Sequence, residues 1–219
     1  MKIIFNFALA CTLNIFCFWE AYAAGLPVTR FVYTEKTGPA DIVVVNPDNH
    51  EVLVQTYMDL EDREASKVRV FPSLFTLPAN GRRVVKVYGL NTLLSQEEEV
   101  IRYLNVATLP PESGDKNSVR VILTAKYKVL IRSNNIPQKN ATDAVKMLDV
   151  TCENTGCHLV NNSSLNVIFA NLSVNGTEIK DEILPPKKRI FLAKNKPIVI
   201  DGKYIDDTGN YIELPRLTF

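Results

Sequence analysis

The chain has 219 residues, 46% hydrophobic and 22% charged, with 9 Gly and 12 Pro; this composition is globular and excludes a disordered, collagenous or multi-span membrane protein. Lys+Arg 25 against Asp+Glu 24 leaves a formal net charge of +1 with the basic residues scattered, so no nucleic acid and no anionic membrane surface is expected as a partner. The two histidines, His50 and His158, stand far apart and in no metal-ligand pattern, which argues against zinc and imidazole catalysis.

Residues 1–23 have the form of a secretory signal peptide. Lys2 supplies the positive start, 3–19 is an almost uninterrupted apolar run, and Ala21-Tyr22-Ala23 is an A-x-A cleavage site. The run is too short for a membrane anchor and stops at Glu20, so no membrane insertion is expected. Cleavage after Ala23 removes Cys11 and Cys17 and leaves Cys152 and Cys157 in an oxidising compartment, where one disulfide across a tight turn is expected. Redox activity would ordinarily use the CxxC spacing, which is absent.

From Leu26 onward, short β-branched segments alternate with Gly, Pro, Asn and Asp. Strands are predicted at 30–34, 41–46, 52–59, 68–71, 82–88, 100–107, 119–132, 147–152, 158–161, 166–174, 189–193, 198–200 and 211–214. The stretches 92–99 and 142–147 have some helical character but are too short to be stable without packing. The chain is therefore all-β, and the strand count exceeds one seven-stranded immunoglobulin-like unit, which predicts two sandwiches. The polar stretch 133–140 marks the boundary: an N-terminal domain over 24–133 and a C-terminal domain over 141–219.

The segment 119–132 is about twice the usual strand length. It begins with Val119, Val121 and Leu123 on one face and Arg120, Ile122 and Thr124 on the other. Ile122 makes both faces partly apolar, so the strand is either central in a sandwich or an edge exposing an apolar row.

Several stretches resemble the periplasmic chaperones of the chaperone-usher pathway of pilus assembly: Thr29-Arg30-Phe31-Val32-Tyr33; Val43-Val44-Val45-Asn46-Pro47 with Leu53-Val54-Gln55-Thr56-Tyr57; Phe71-Pro72-Ser73-Leu74-Phe75-Thr76-Leu77-Pro78; Glu99-Val100-Ile101-Arg102-Tyr103-Leu104-Asn105-Val106 closing on Leu109-Pro110-Pro111; and Lys126-Tyr127-Lys128-Val129-Leu130-Ile131-Arg132. Val174-Asn175-Gly176 and Tyr204-Ile205-Asp206-Asp207-Thr208-Gly209 extend it into the second domain.

The resemblance implies two immunoglobulin-like sandwiches in an L-shaped arrangement with a subunit-binding cleft, and a non-catalytic function. The protein would bind and fold pilus subunits by donor-strand complementation, with Val119, Val121 and Leu123 inserted into the subunit. Arg30 and Lys128, helped by Thr29, would hold the subunit's C-terminal carboxylate. Glu99, Arg132 and Asp207 match the family's interdomain charge cluster, with Glu97 or Glu98 as alternatives to Glu99. An outer-membrane usher is the second implied partner, and self-association of the free protein to hide its strand stands as a hypothesis. No metal or organic cofactor is implied. The short connection 107–118 resembles the short-loop members, and how the second sandwich closes after Gly209 is open.

Three other classes compete. A secreted immunoglobulin-like adhesion module would use the N-x-S/T sequons at Asn140, Asn161, Asn162, Asn171 and Asn175, but no Cys…Trp…Cys core spacing exists. An enzyme would need a nucleophile-base set, whereas Glu61-Asp62 and Asp206-Asp207 are only neighbouring carboxylates. A pilus subunit would need a free N-terminal donor extension, and the motifs begin within a few residues of Ala23.

Overall fold

A computed structural model describes residues 29–34, 38–59, 68–89, 97–111, 120–180, 183–215 and 217–218. The signal-peptide segment, Glu61-Asp62, Val119 and most of 92–99 lie outside the described residues.

The first half contains β1 (Arg30–Thr34), β2 (Ala40–Val45), β3 (Val52–Met58), β4 (Val68–Phe71), β5 (Leu74–Leu77), β6 (Arg82–Gly89), β7 (Val100–Leu109) and β8 (Leu123–Arg132). They form a five-stranded sheet in the order β1-β8-β7-β3-β5 and a three-stranded sheet β2-β6-β4. Strict alternation builds the layer between the sheets: in β3, Val52, Val54 and Met58 point inward while Leu53 and Gln55 are exposed. Val44, Val54, Val85, Leu104, Val106, Val129 and Ile131 are essentially sealed in this first core, each contributing about 1.5–3 kcal/mol through burial.

The second half begins with α1 (Ala141–Val145), capped by Asn140, whose side chain accepts from the Asp143 amide. It continues with β9 (Leu148–Glu153), β10 (Gly156–Asn161), β11 (Val167–Val174), β12 (Thr177–Glu178), β13 (Ile183–Leu184), β14 (Arg189–Ala193), β15 (Val199–Ile205), β16 (Tyr211–Glu213) and β17 (Leu217–Thr218). One sheet is β14-β10-β9 and the other β12-β11-β15-β16, with β13 on β11 and β17 on β15. A separate core of Leu159, Leu165, Leu172, Leu184, Ile198 and Ile200 fills the space between them, and Ile136 joins it from the connecting segment. The chain is all-β apart from one short helix among the described residues. The second sandwich closes by returning β16 and β17 antiparallel to β15.

Several strands differ from expectation, with β5, β12, β13 and β17 absent from the predicted set and β15 running on to Ile205, and for two strands the reason is identifiable. The predicted strand 119–132 begins only at Leu123, because its ladder partner β7 runs out: Thr108 faces Leu123, and Pro110 and Pro111 follow, which cannot donate to a ladder. β5 was not predicted from periodicity. The chain crosses at Pro72-Ser73 from the three-stranded to the five-stranded sheet, and what looks like one short segment serves two layers.

Candidate functional site

β1 runs parallel to β8 with Arg30 facing Lys128, Val32 facing Leu130 and Thr34 facing Arg132. Facing residues in a ladder project to one side. Phe31, Tyr33, Val129 and Ile131 turn to the first core, so Arg30, Lys128 and Arg132 line the opposite face. The alternation in RFVYT and KVLIR thus brings Arg30 to the same face as Lys128 and Arg132, about a hundred residues further along the chain.

Arg30 is only 5% exposed. Its Nη1 donates to the Ile205 carbonyl of the second sandwich at 3.4 Å, and its Nε is buried without a partner. Burial pulls its pKa below the usual guanidinium value, partly opposed by Asp206, Asp207, Glu99 and Tyr211; it remains a cation at any physiological pH. A buried cation with an unused donor favours an anion, because an unpaired buried charge is costly. Lys128 is half-buried beside it, with its amide donating to the Thr29 carbonyl at 3.3 Å. Thr29 is exposed, and its Oγ1 lies 3.5 Å from where a Cβ on Gly209 would sit. Thr29, Arg30 and Lys128 therefore stand where the 206–210 turn of the second sandwich meets the first.

Arg132 is 4% exposed and bridges the two halves. Its Nε donates to Glu99 Oε2, Nη1 and Nη2 grip both oxygens of Asp207 at 2.6 and 2.7 Å, and Nη1 also reaches the Lys139 carbonyl at 3.1 Å. Burial works to lower its pKa, but the Asp207 hydrogen bonds and the Glu99 and Asp207 charges more than offset it, so the pKa is raised. Glu97 and Glu98 are exposed while Glu99 is buried, so Glu99 is the carboxylate in the joint. Asp206, next to Asp207, does something different: it accepts from the Thr208 and Asn210 amides at 2.9 and 2.8 Å, knotting the turn. Burial would raise its pKa, yet these donors hold it below the usual carboxylate range.

Sequence reasoning missed the other side of Glu99. Asn166 donates from its amide and Nδ2 to Glu99 Oε1 at 3.1 and 3.0 Å, and Nδ2 also reaches the Glu99 carbonyl at 3.1 Å. The Glu99 amide donates to the Ser164 carbonyl at 2.8 Å. Nothing in the run NNSSLN signals such a role.

Of the apolar row, Val119 is outside the described residues, Val121 is 61% exposed and Leu123 45% exposed. Leu123 lies on the same side of β8 as Ala125, Tyr127 and Val129 by alternation, so the row continues the first core outward. β1 joins β8 only from Lys128; along 123–125 the ladder has β7 on one side and, among the described residues, no strand on the other. Cys152 and Cys157 face each other in the β9–β10 hairpin and form the disulfide.

The sequon at Asn161 is fully buried, which removes it as a glycan acceptor in the folded chain. Among the described residues no group of three or more His, Cys, Asp or Glu could hold a metal ion, and no helix is long and apolar enough to cross a membrane.

Residues 24–137 match the family of pili and flagellar-assembly chaperones, in its N-terminal domain. The chain is 26% identical over 219 residues to the probable fimbrial chaperone LpfB of Escherichia coli O157:H7, covering 94% of this chain and 93% of that one. It is 27% identical over 198 residues to the probable fimbrial chaperone YehC of Escherichia coli K12, covering 84% and 82%. A chain in the complex of Salmonella enterica SafA pilin with the SafB chaperone superposes with a TM-score of 0.75 at 21% identity, covering 91% of this chain and 97% of that chain.

Proposed function

The chain belongs to the pili and flagellar-assembly chaperones, a non-enzymatic family, and on that premise we propose that it captures pilus subunits in the periplasm by donor-strand complementation and passes them to an outer-membrane usher. The observation that carries this reading is the half-open β8. Its 123–125 stretch, paired with β7 on one side and with no strand on the other among the described residues, stands beside an exposed Val121 and Leu123, continuous with the hydrophobic core. A subunit lacking a strand would gain both a ladder and apolar side chains from it. Residues 24–133 would form the binding sandwich, 141–219 its companion, and Glu99, Arg132 and Asp207 would hold the angle between them. The signal at 1–23 would deliver the chain to the periplasm and be removed there. The free protein would cover the same strand by self-association.

Register needs an end stop, because a slip by one residue exchanges the two faces of a strand. The Arg30–Lys128 pair supplies it by gripping the subunit's terminal carboxylate. Arg30→Ala and Lys128→Ala are each expected to weaken the complex by about 2–5 kcal/mol, measured as recovery of a co-expressed fimbrial subunit, with circular dichroism confirming the fold. Wild-type recovery by both folded variants would sink the anchor.

A further inference from the structure

An open hollow of about 330 Å³ on the surface of the second sandwich is lined by Phe169, Ala170, Lys203, Ile205 and Tyr211, and the Ile205 carbonyl accepts from Arg30 Nη1 at 3.4 Å. Its construction is local. Phe169 faces Tyr204 and Asn171 faces Lys203, so Ala170 is the extra residue of a bulge in β11. On β15, Gly202 allows the approach: φ is +159°, and a Cβ there would fall 2.4 Å from the Asn171 carbonyl. Ile205 and Tyr211 face each other across the β15–β16 ladder and point to the same side. Tyr211 is 68% exposed, a large ring with little to cover it. Lys203 pairs with Glu213 at 3.0 Å, so its charge is already balanced.

Position identifies the occupant. The guanidinium proposed as the carboxylate anchor also touches the Ile205 carbonyl, and Ile205 is a wall of the cavity. An anion held by Arg30 would therefore sit next to Ile205, with Tyr211 close enough to act electrostatically on the same guanidinium. The volume is at the lower end of ligand pockets, room for one large side chain rather than a folded element. We infer that this cavity receives the side chain of the subunit's C-terminal residue and selects an aromatic or large apolar one there; the inference rests on the carboxylate anchor proposed above.

The test uses the mature chain and short synthetic peptides of alternating Val and Thr that end in Phe, in Ala, or in Phe amide. The Phe acid is expected to bind about tenfold more tightly than the Ala acid, the scale of one buried ring against a methyl. Tyr211→Ala collapses that ratio and Tyr211→Phe restores it; the exposure of Tyr211 leaves the core untouched, and circular dichroism checks this. A wild type that does not distinguish the two acids, or a Tyr211→Ala variant that distinguishes them as wild type does, overturns the cavity while the anchor stands, provided the amide binds more weakly than its acid. An amide that binds as tightly as the acid overturns the anchor, and the cavity's role with it.

Discussion

Asn46 in the first sandwich and Asn161 in the second are both fully buried and make the same knot. Asn46 donates from Nδ2 to the carbonyls of His50, Leu77 and Pro78 at 2.9, 3.1 and 2.9 Å; Asn161 donates to Leu165, Leu184 and Pro185 at 2.8, 3.1 and 3.1 Å. Each Oδ1 accepts from the amide two residues on, Asp48 or Ser163. Each backbone amide reaches the turn that follows the Leu-Pro pair, at Gly81 or Lys188. Each of those turns has one left-handed residue, Asn80 at φ 55° or Lys187 at φ 56°. One amide group thus ties a strand end to a distant turn in both sandwiches, satisfying carbonyls that the sheets leave over.

The loops after the two pins diverge. Asn49, His50 and Glu51 return to water, whereas Ser163, Leu165 and Asn166 are buried, and Ser164 and Asn166 reach Glu99 across the joint. A rigid pin is what lets a loop be spent on something else. The first sandwich leaves that loop at the surface, and the second uses it to hold its neighbour.

The largest expected effect breaks the joint from the other side. Arg132→Ala leaves Glu99 buried against Asn166 without its cation and should cost about 3–5 kcal/mol, loosening the domain angle in small-angle scattering while strand circular dichroism persists. An unchanged scattering profile would mean that the 163–166 loop holds the joint alone. Next, Asn46→Ala and Asn161→Ala should each cost roughly 3 kcal/mol in thermal unfolding by orphaning buried carbonyls. Only Asn161→Ala should also raise hydrogen exchange at the Glu99 amide; equal exchange in both variants would erase the contrast between the loops. The smallest effect separates the turns. Lys187→Gly should stabilise by about 1 kcal/mol, since a left-handed lysine is strained, and Asn80→Gly by less, since asparagine tolerates that conformation. A larger gain at Asn80 would reverse the ranking.

Much of the site was legible residue by residue. Alternation put Val121 and Leu123 on one face of 119–132, the cysteine count gave the Cys152–Cys157 pair, and the resemblance to pilus chaperones pointed to Arg30, Lys128 and Arg132. Asn166 was not legible, because a side-chain amide carries no periodicity and its partner lies 67 residues away. Tyr211 looked like an ordinary strand residue; only the bulge at Ala170 and the closeness of Arg30 make it a wall. Glu99 was named first among three adjacent glutamates, and only its burial and its bonds to Arg132 and Asn166 separate it from Glu97 and Glu98.

What the sequence by itself determined is one-dimensional: a period of two that says which side chains share a face, turn residues that end each strand, and an apolar row running past the end of β7. Tertiary structure decided which edges meet. It set Arg30 beside Lys128, closed Arg132 between Glu99 and Asp207 and, among the described residues, left 123–125 with a strand on one side only. Those pairings depend on contacts between segments far apart in the chain, and no local propensity encodes them.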